Sequence, residues 1–163
     1  MDLVTPVFDQ LQALGLPYQL IEHAPALTTE QADDFIAGLP GVRTKTLFLT
    51  NKKKTQFYLL IMDDRKQLDM EQFRELVGAN RIRLASNASL EEKMALQPGL
   101  VSPFGLLFNQ DHDIQVYIDA AIVSQECMTF HPNTNEKTIF IATPDLLTFL
   151  EKITYPAQIV TLA

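Results

Sequence analysis

The chain has 163 residues, 47% of them apolar and 20% charged, a net charge of −7 and one cysteine. That is the size and balance of one globular domain whose core needs no disulfide staple, and Cys127 alone cannot form an internal bridge, which points to a reducing cytoplasm. Met1-Asp2-Leu3 lacks the basic start of a signal peptide, the longest apolar run (100–108) is broken by Ser102, Pro103 and Gly105, and the acidic excess argues against a protein that coats long DNA or RNA duplexes.

Leu3, Val4, Val7, Phe8, Leu11 and Leu14 fall on one helical stripe, which predicts a helix over 3–14 closed by Gly15. A strand is predicted over 17–24. Thr28-Thr29-Glu30-Gln31 has the pattern of a capped helix start, running to about residue 37 and ended by Gly38 and Pro40. Two β-rich runs, 44–50 and 56–62, flank a lysine-rich turn and predict a hairpin. Asp69 caps a predicted helix that Gly78 stops, and a short strand follows at 81–85. Another short helix opens at Ser89, with Glu91 and Glu92 in its first turn, where the helix dipole favours acids. The runs 104–109 and 114–118 flank a polar turn and predict a second hairpin, in which His112 is expected to be solvated. A brief helix is expected at 120–124, a third strand pair at 128–130 and 138–142, a helix at 144–152 capped by Thr143, and a last strand at 159–162. Hairpins mixed with short helices predict an α+β (mixed α/β) domain spanning 1–163. Its sheet should be mixed and largely antiparallel, or a partial barrel, with flanking helices, and not doubly wound.

The charge is unevenly placed. Residues 43–83 hold ten of the thirteen bases against five acids, while the segments on either side each carry a net −6. A confined basic patch on an acidic body suits contact with a few phosphates, although Lys52-Lys53-Lys54 alone reads equally well as a solvated turn.

Familiar site signatures are missing: no Gly-x-Gly-x-x-Gly, no P-loop, no Gly-x-Ser-x-Gly and no His-Glu-x-x-His. Three histidines (His23, His112, His131) and one cysteine make a zinc site implausible, so no metal or cofactor is expected. Cys127 and His131 would share a face of a strand, which allows a thiolate–imidazole pair, but a lone cysteine among strand residues is more often a small core side chain.

Three segments carry the chemistry in combination. Gly41-Val42-Arg43-Thr44-Lys45-Thr46-Leu47-Phe48-Leu49 alternates a lysine with apolar residues, so Lys45 either snorkels to solvent or enters a pocket. Pro98-Gly99-Leu100-Val101-Ser102-Pro103-Phe104-Gly105-Leu106 sets an unusual backbone path with N–H groups available to a ligand. Phe130-His131-Pro132-Asn133-Thr134-Asn135 ends a strand with an imidazole, amides and a hydroxyl.

Together with Glu22-His23-x-Pro25-x-x-Thr28 and Val77-Gly78-Ala79-Asn80, these segments resemble the YbaK/ProX family of aminoacyl-tRNA deacylases in order and over nearly the whole chain. That family includes the editing insertion of bacterial prolyl-tRNA synthetases and its free-standing relatives. The resemblance is to the branch that clears alanine from the proline tRNA, with Thr46 standing where asparagine is expected. It implies a cytoplasmic hydrolase of mischarged aminoacyl-tRNA that meets the tRNA acceptor end, with prolyl-tRNA synthetase as an associate and neither membrane nor DNA as a partner. A binding module without activity and a cysteine-editing specificity are the alternatives.

The resemblance implies Lys45, Gly99, Ser102, Gly105 and His131 as the catalytic set. In it, Lys45 anchors phosphate or polarises the ester carbonyl, and backbone N–H groups of 99–105 hold oxyanion charge. His131 bonds the terminal adenosine or acts as a weak base, unless it merely caps the turn at Pro132. The expected substrate contacts are Leu20, His23, Leu27, Thr44, Thr46, Phe48, Pro103, Phe104 and Asn133, with Leu20, Leu27 and Phe48 as apolar walls.

Overall fold

In the computed structural model, which describes residues 1–162, the uninterrupted apolar run 57–62 forms the heart of strand β3 (Phe57–Asp63). A strand with apolar side chains on both faces has to be covered on both. Its neighbours are β2 (Val42–Asn51), antiparallel through the predicted hairpin, and β5 (Ile114–Asp119), parallel. Beyond β5 lies β8 (Gln158–Val160), again parallel. On the other side β2 meets β6 (Cys127–Phe130) in parallel, followed by β7 (Lys137–Ala142) and the edge strand β1 (Gln19–Glu22). β4 (Ile82–Leu84) also pairs with β2. The result is one mixed eight-stranded sheet with four antiparallel and three parallel pairings, in line with the α+β expectation.

Alternation along the strands sorts the core into two clusters. Phe48, Phe57, Leu59, Ile61, Phe130 and Ile139 point to the larger one, under α1 (Thr5–Ala13), α4 (Asn87–Met94) and α6 (Thr143–Lys152). Leu49, Tyr58, Leu60 and Met62 point the other way and pack with Phe73 of α3 (Met70–Val77). α2 (Thr29–Phe35) and α5 (Ala120–Val123) complete the helices. Among the described residues no helix is long and apolar enough to cross a membrane.

The predicted caps form at two helices. Thr28 Oγ1 accepts the Gln31 N–H, and the Asp69 carboxylate accepts from Glu71 and Gln72. Gly78 closes α3 at φ 70°, a left-handed conformation that glycine adopts without strain. At two others the expectation fails. α4 opens at Ser86, whose hydroxyl accepts the N–H of Ser89. Thr143 lies inside α6 and donates its hydroxyl to the Gln125 carbonyl, 2.6 Å away.

The predicted second hairpin is absent. Residues 103–108 form a 3-10 helix, started by Pro103 and by Ser102, whose hydroxyl accepts the Phe104 N–H. A short wholly apolar run has no period by which to tell helix from strand, and β5 finds its partners in β3 and β8 instead. His112 is exposed, as expected, and is also held: its Nε2 bonds Thr154 O at 2.6 Å and its ring stacks on Tyr155 at 4.3 Å.

Gly105 lies buried in the 3-10 helix, where an added Cβ would come within 2.6 Å of Leu96 Cδ1 and 3.2 Å of Met94 Cβ. Gly105→Ala should therefore destabilise the protein by about 1–3 kcal/mol, the usual penalty for overpacking. A denaturation midpoint shifted down with unchanged m value is the expected result; an unshifted midpoint would show that the helix yields freely.

Candidate functional site

One edge of β2 changes partner along its length. It pairs with β6 only at Val42 and Arg43, and with β4 only at residues 49–51. Over residues 44–47 that edge has no strand beside it among the described residues, and Lys45 sits in the middle of the gap. The register Arg43↔Thr129, continued by two residues, sets Lys45 level with His131 just beyond the end of β6. The register Phe130↔Ile139 likewise sets His131 opposite Thr138, and Thr138 is paired with Ile21 of β1. His23, Thr138, His131 and Lys45 therefore form a polar row on one face of the sheet.

α2 crosses that face. Phe35 stacks on His23 at 4.8 Å, and Arg43 donates to the carbonyls of Ile36 and Leu39 at the helix end while lying over Phe140. Between helix and sheet lies a cleft of about 190 Å³ lined by Ala26, Leu27, Thr28, Ala32, Gly99, His131 and Asn135.

Hydrogen bonding defines the tautomers in the row. His23 Nδ1 meets the Ala24 carbonyl at 2.9 Å, and His131 Nδ1 meets the Lys137 carbonyl at 3.2 Å. A carbonyl only accepts, so each Nδ1 carries the proton. His23 Nε2 then accepts from the buried Thr138 hydroxyl at 2.9 Å, and that oxygen lies 3.3 Å from His131 Nδ1. His131 Nε2 is left with a lone pair and no protein partner among the described residues. Burial, aided by His23, pulls the His131 pKa below its ordinary value against the Lys137 bond, which raises it. The imidazole is neutral at pH 7. Lys45 is half-buried and has no hydrogen-bond or ion-pair partner among the described residues.

In the 97–105 loop several N–H groups are already used. Leu100 bonds Gln97 O, Phe104 bonds Ser102 Oγ, and Gly105 bonds Ser102 O. Those of Gln97, Gly99, Val101 and Ser102 have no partner among the described residues. Gly99, at φ 85°, is the one that lines the cleft. Gly105 is a packing residue. Ser102 is a staple: its buried hydroxyl donates to Asn133 Oδ1 at 2.7 Å.

Several expected substrate contacts lie elsewhere. Thr44, Thr46 and Phe48 alternate with Lys45 and belong to the opposite face; Phe48 is buried and stacked on Phe57, and Thr44 bonds the Thr129 carbonyl. Leu20 pairs with Ile139 on that same opposite face. Pro103 and Phe104 are buried, the latter against Phe130 and Phe149. Asn133 has both amide ends engaged, one with Ser102 and one with Leu3 O, and so tethers the loop and the N-terminus. Of the apolar walls only Leu27 lines the cleft. Cys127 stands at the other end of β6 from His131, its thiol pushed up by burial and so un-ionised. Among the described residues no cluster is placed to hold a metal ion. Ala32 and Thr138 stand outside every segment that the sequence singles out, and Asn135 enters only as the end of the segment 130–135, without a role. Of the first two, only Thr138 left a trace, as a polar residue within an apolar strand.

Of the ten bases in 43–83, Arg43, Arg65, Lys66 and Arg74 are bound within the protein. Lys45, Lys52, Lys53, Lys54, Arg81 and Arg83 have no partner among the described residues. Lys52, Lys53 and Arg81 line a second groove, of about 410 Å³.

Residues 23–149 match the family described as "Aminoacyl-tRNA editing domain". The chain is similar to the prolyl-tRNA editing protein ProX of Acetoanaerobium sticklandii, at 32% identity over 90% of this chain and 89% of that protein. It is also similar to prolyl-tRNA synthetase associated domain-containing protein 1 of Bos taurus, at 31% identity over 87% and 85%. A crystal structure of a candidate trans-editing enzyme for prolyl-tRNA synthetase has the same fold, with TM-score 0.76, 19% identity and 98% coverage of both chains.

The tautomer of His131 can be read directly. In a ¹⁵N-detected titration His131 should have its midpoint below the ordinary 6.5 and carry its proton on Nδ1 at pH 7. A midpoint above 6.5, or an Nε2–H tautomer, would break the row as described.

Proposed function

This chain belongs to the aminoacyl-tRNA editing domain family, and we propose that it is a free-standing deacylase that hydrolyses amino acids wrongly joined to the proline tRNA, alanine first among them. The observation that carries this reading is an unpartnered, half-buried Lys45 in register with a neutral His131, which lines a small cleft. The names of the relatives support the proline tRNA as the class of tRNA, and the reading takes prolyl-tRNA synthetase as an associate. Translation editing places the work in the cytoplasm.

The ester between an amino acid and the terminal ribose is already activated, so modest catalysis suffices. Water adds to the carbonyl carbon, negative charge gathers on the carbonyl oxygen, and the bond to the ribose oxygen breaks as that oxygen takes a proton. Lys45 supplies positive charge for the carbonyl or the terminal phosphate. The free N–H groups at Gly99, Val101 and Ser102 hold the developing oxyanion, an effect worth ~3 kcal/mol per well-placed donor. His131 Nε2 accepts a proton from water or a hydrogen bond from the substrate. The vicinal ribose hydroxyl assists the attack.

The cleft, at about 190 Å³, has room for a prolyl ring as well as an alanyl side chain, so discrimination between them rests on where Leu27 and Ala32 stand against the bound ester and not on volume alone. Thr46, on the opposite face, has no part in that choice. A side-by-side rate for alanyl, seryl, cysteinyl and prolyl esters on one tRNA should rank alanyl first, seryl within roughly tenfold and prolyl negligible. Lys45→Ala should lower the alanyl rate at least tenfold, about 1.4 kcal/mol, in a folded protein. Cysteinyl ester cleaved fastest would move the chain to cysteine editing, and normal turnover by Lys45→Ala would remove that residue from the site.

The tRNA phosphates are proposed to land on the groove of Lys52, Lys53 and Arg81. From Lys45 the strand runs seven residues to Lys52, roughly 20 Å, which separates the ester from the groove of Lys52, Lys53 and Arg81 by the length of a short single-stranded end. The double variant Lys52→Glu/Lys53→Glu should raise KM for charged tRNA with little change in kcat. Wild-type binding should weaken with salt at a log–log slope on the order of −2 to −4. A slope near −8, or an unchanged KM in the variant, would count against this footprint.

A further inference from the structure

The face that α2 covers holds a pair of acids that hydrolysis does not use. Asp64 directly follows β3, two residues beyond Met62 and so on the side of Lys45. Its Oδ2 is buried with no hydrogen-bond donor among the described residues, and the carboxyl group of Asp33, on α2, is within hydrogen-bonding reach. Two ionised carboxylates offer each other no donor and repel, whereas one retained proton converts the contact into an O–H···O bond. That proton also removes the orphaned oxygen.

The surroundings favour retention. Burial first, and Asp33 second, push Asp64 up from 3.8 to about 7. Asp63 adds to the rise but is itself bound to Arg65, and Arg65 pulls only weakly the other way. His131, near enough to be affected by Asp64, is neutral. Arg43, on the adjoining strand, gives its guanidinium to the carbonyls of Ile36, Leu39 and Gly41 and not to Asp64.

We propose that one proton shared between Asp33 and Asp64 latches α2 onto the sheet, holding the cleft wall of Leu27, Thr28 and Ala32 over His131, and that the wall loosens when the proton leaves. Asp33 and Asp64 are positioning residues. Because the folded-state value lies above the unfolded one, the latch is at full strength at acid pH below the unfolded value and is lost as pH rises through about 7. The consequence for turnover rests on the deacylase reading; the latch itself does not.

Amide exchange in the full chain, corrected for the pH dependence of exchange itself, reads the latch directly. Protection at residues 32–36 should fall roughly thirtyfold from pH 5.5 to pH 8. In Asp64→Asn the introduced amide donates to Asp33 at every pH, so this fall should vanish. Asp33→Asn should give the same flattening from the other side, and serves if Asp64→Asn does not fold. A ¹³C carboxyl titration of the wild type should place Asp64 near neutrality. Titration of Asp64 near 4, or an equal loss of protection in the wild type and a folded variant, would overturn the latch. Neither readout involves tRNA, so its failure is distinct from failure of the deacylase reading.

Discussion

The site depends on β2 exchanging one neighbour for another along a single edge. A strand's backbone N–H and C=O groups must be paired or solvated, and an edge left open over residues 44–47 is a place where water or a ligand belongs. β6 parts from β2 after Arg43, so the side chains just beyond the last paired residues, Lys45 and His131, face the same opening. Arg43, Thr129 and Asp64 add to the polar groups on this side, and α2 must bridge them. That bridge makes the cleft.

Polar groups under a helix are costly unless each has a partner. Here the partners come from far along the chain. Thr138 serves two histidines, Asn133 ties Ser102 to the N-terminus at Leu3, and Arg43 ends α2 by gathering three carbonyls. What this satisfied scaffold leaves over includes the Lys45 ammonium, His131 Nε2 and the N–H groups of Gly99, Val101 and Ser102. A cation, a neutral lone pair and free amides are what ester hydrolysis by water requires.

Much of this was legible in the residue order. The first hairpin, the caps at Thr28 and Asp69 and the stop at Gly78 follow from local pattern, and local pattern is what a sequence carries. Lys45, Gly99 and His131 stand out only through the resemblance of their combined segments to a family. The faces of β2 were harder. Thr44, Thr46 and Phe48 flank Lys45 in sequence, yet strand alternation turns them into the opposite side, and only the pairing with β3 shows which side is the core. Ser102 is expected in the catalytic set and Asn133 among the substrate contacts, yet their side chains are each other's partners across 31 positions. The Phe104 segment is apolar throughout, so its 3-10 helix left no periodic trace. The Asp33–Asp64 contact joins a helix to a strand end, and no spacing announces it.

A crystal structure with a non-hydrolysable 3′-amide analogue of alanyl-adenosine bears most directly on the central claim. The account predicts the alanyl methyl against Ala32 and Leu27, the carbonyl oxygen within reach of the Gly99–Ser102 amides or of Lys45, and His131 Nε2 bonded to the analogue. An analogue seated in the groove of Lys52 and Arg81, with the cleft beside His131 empty, would contradict it.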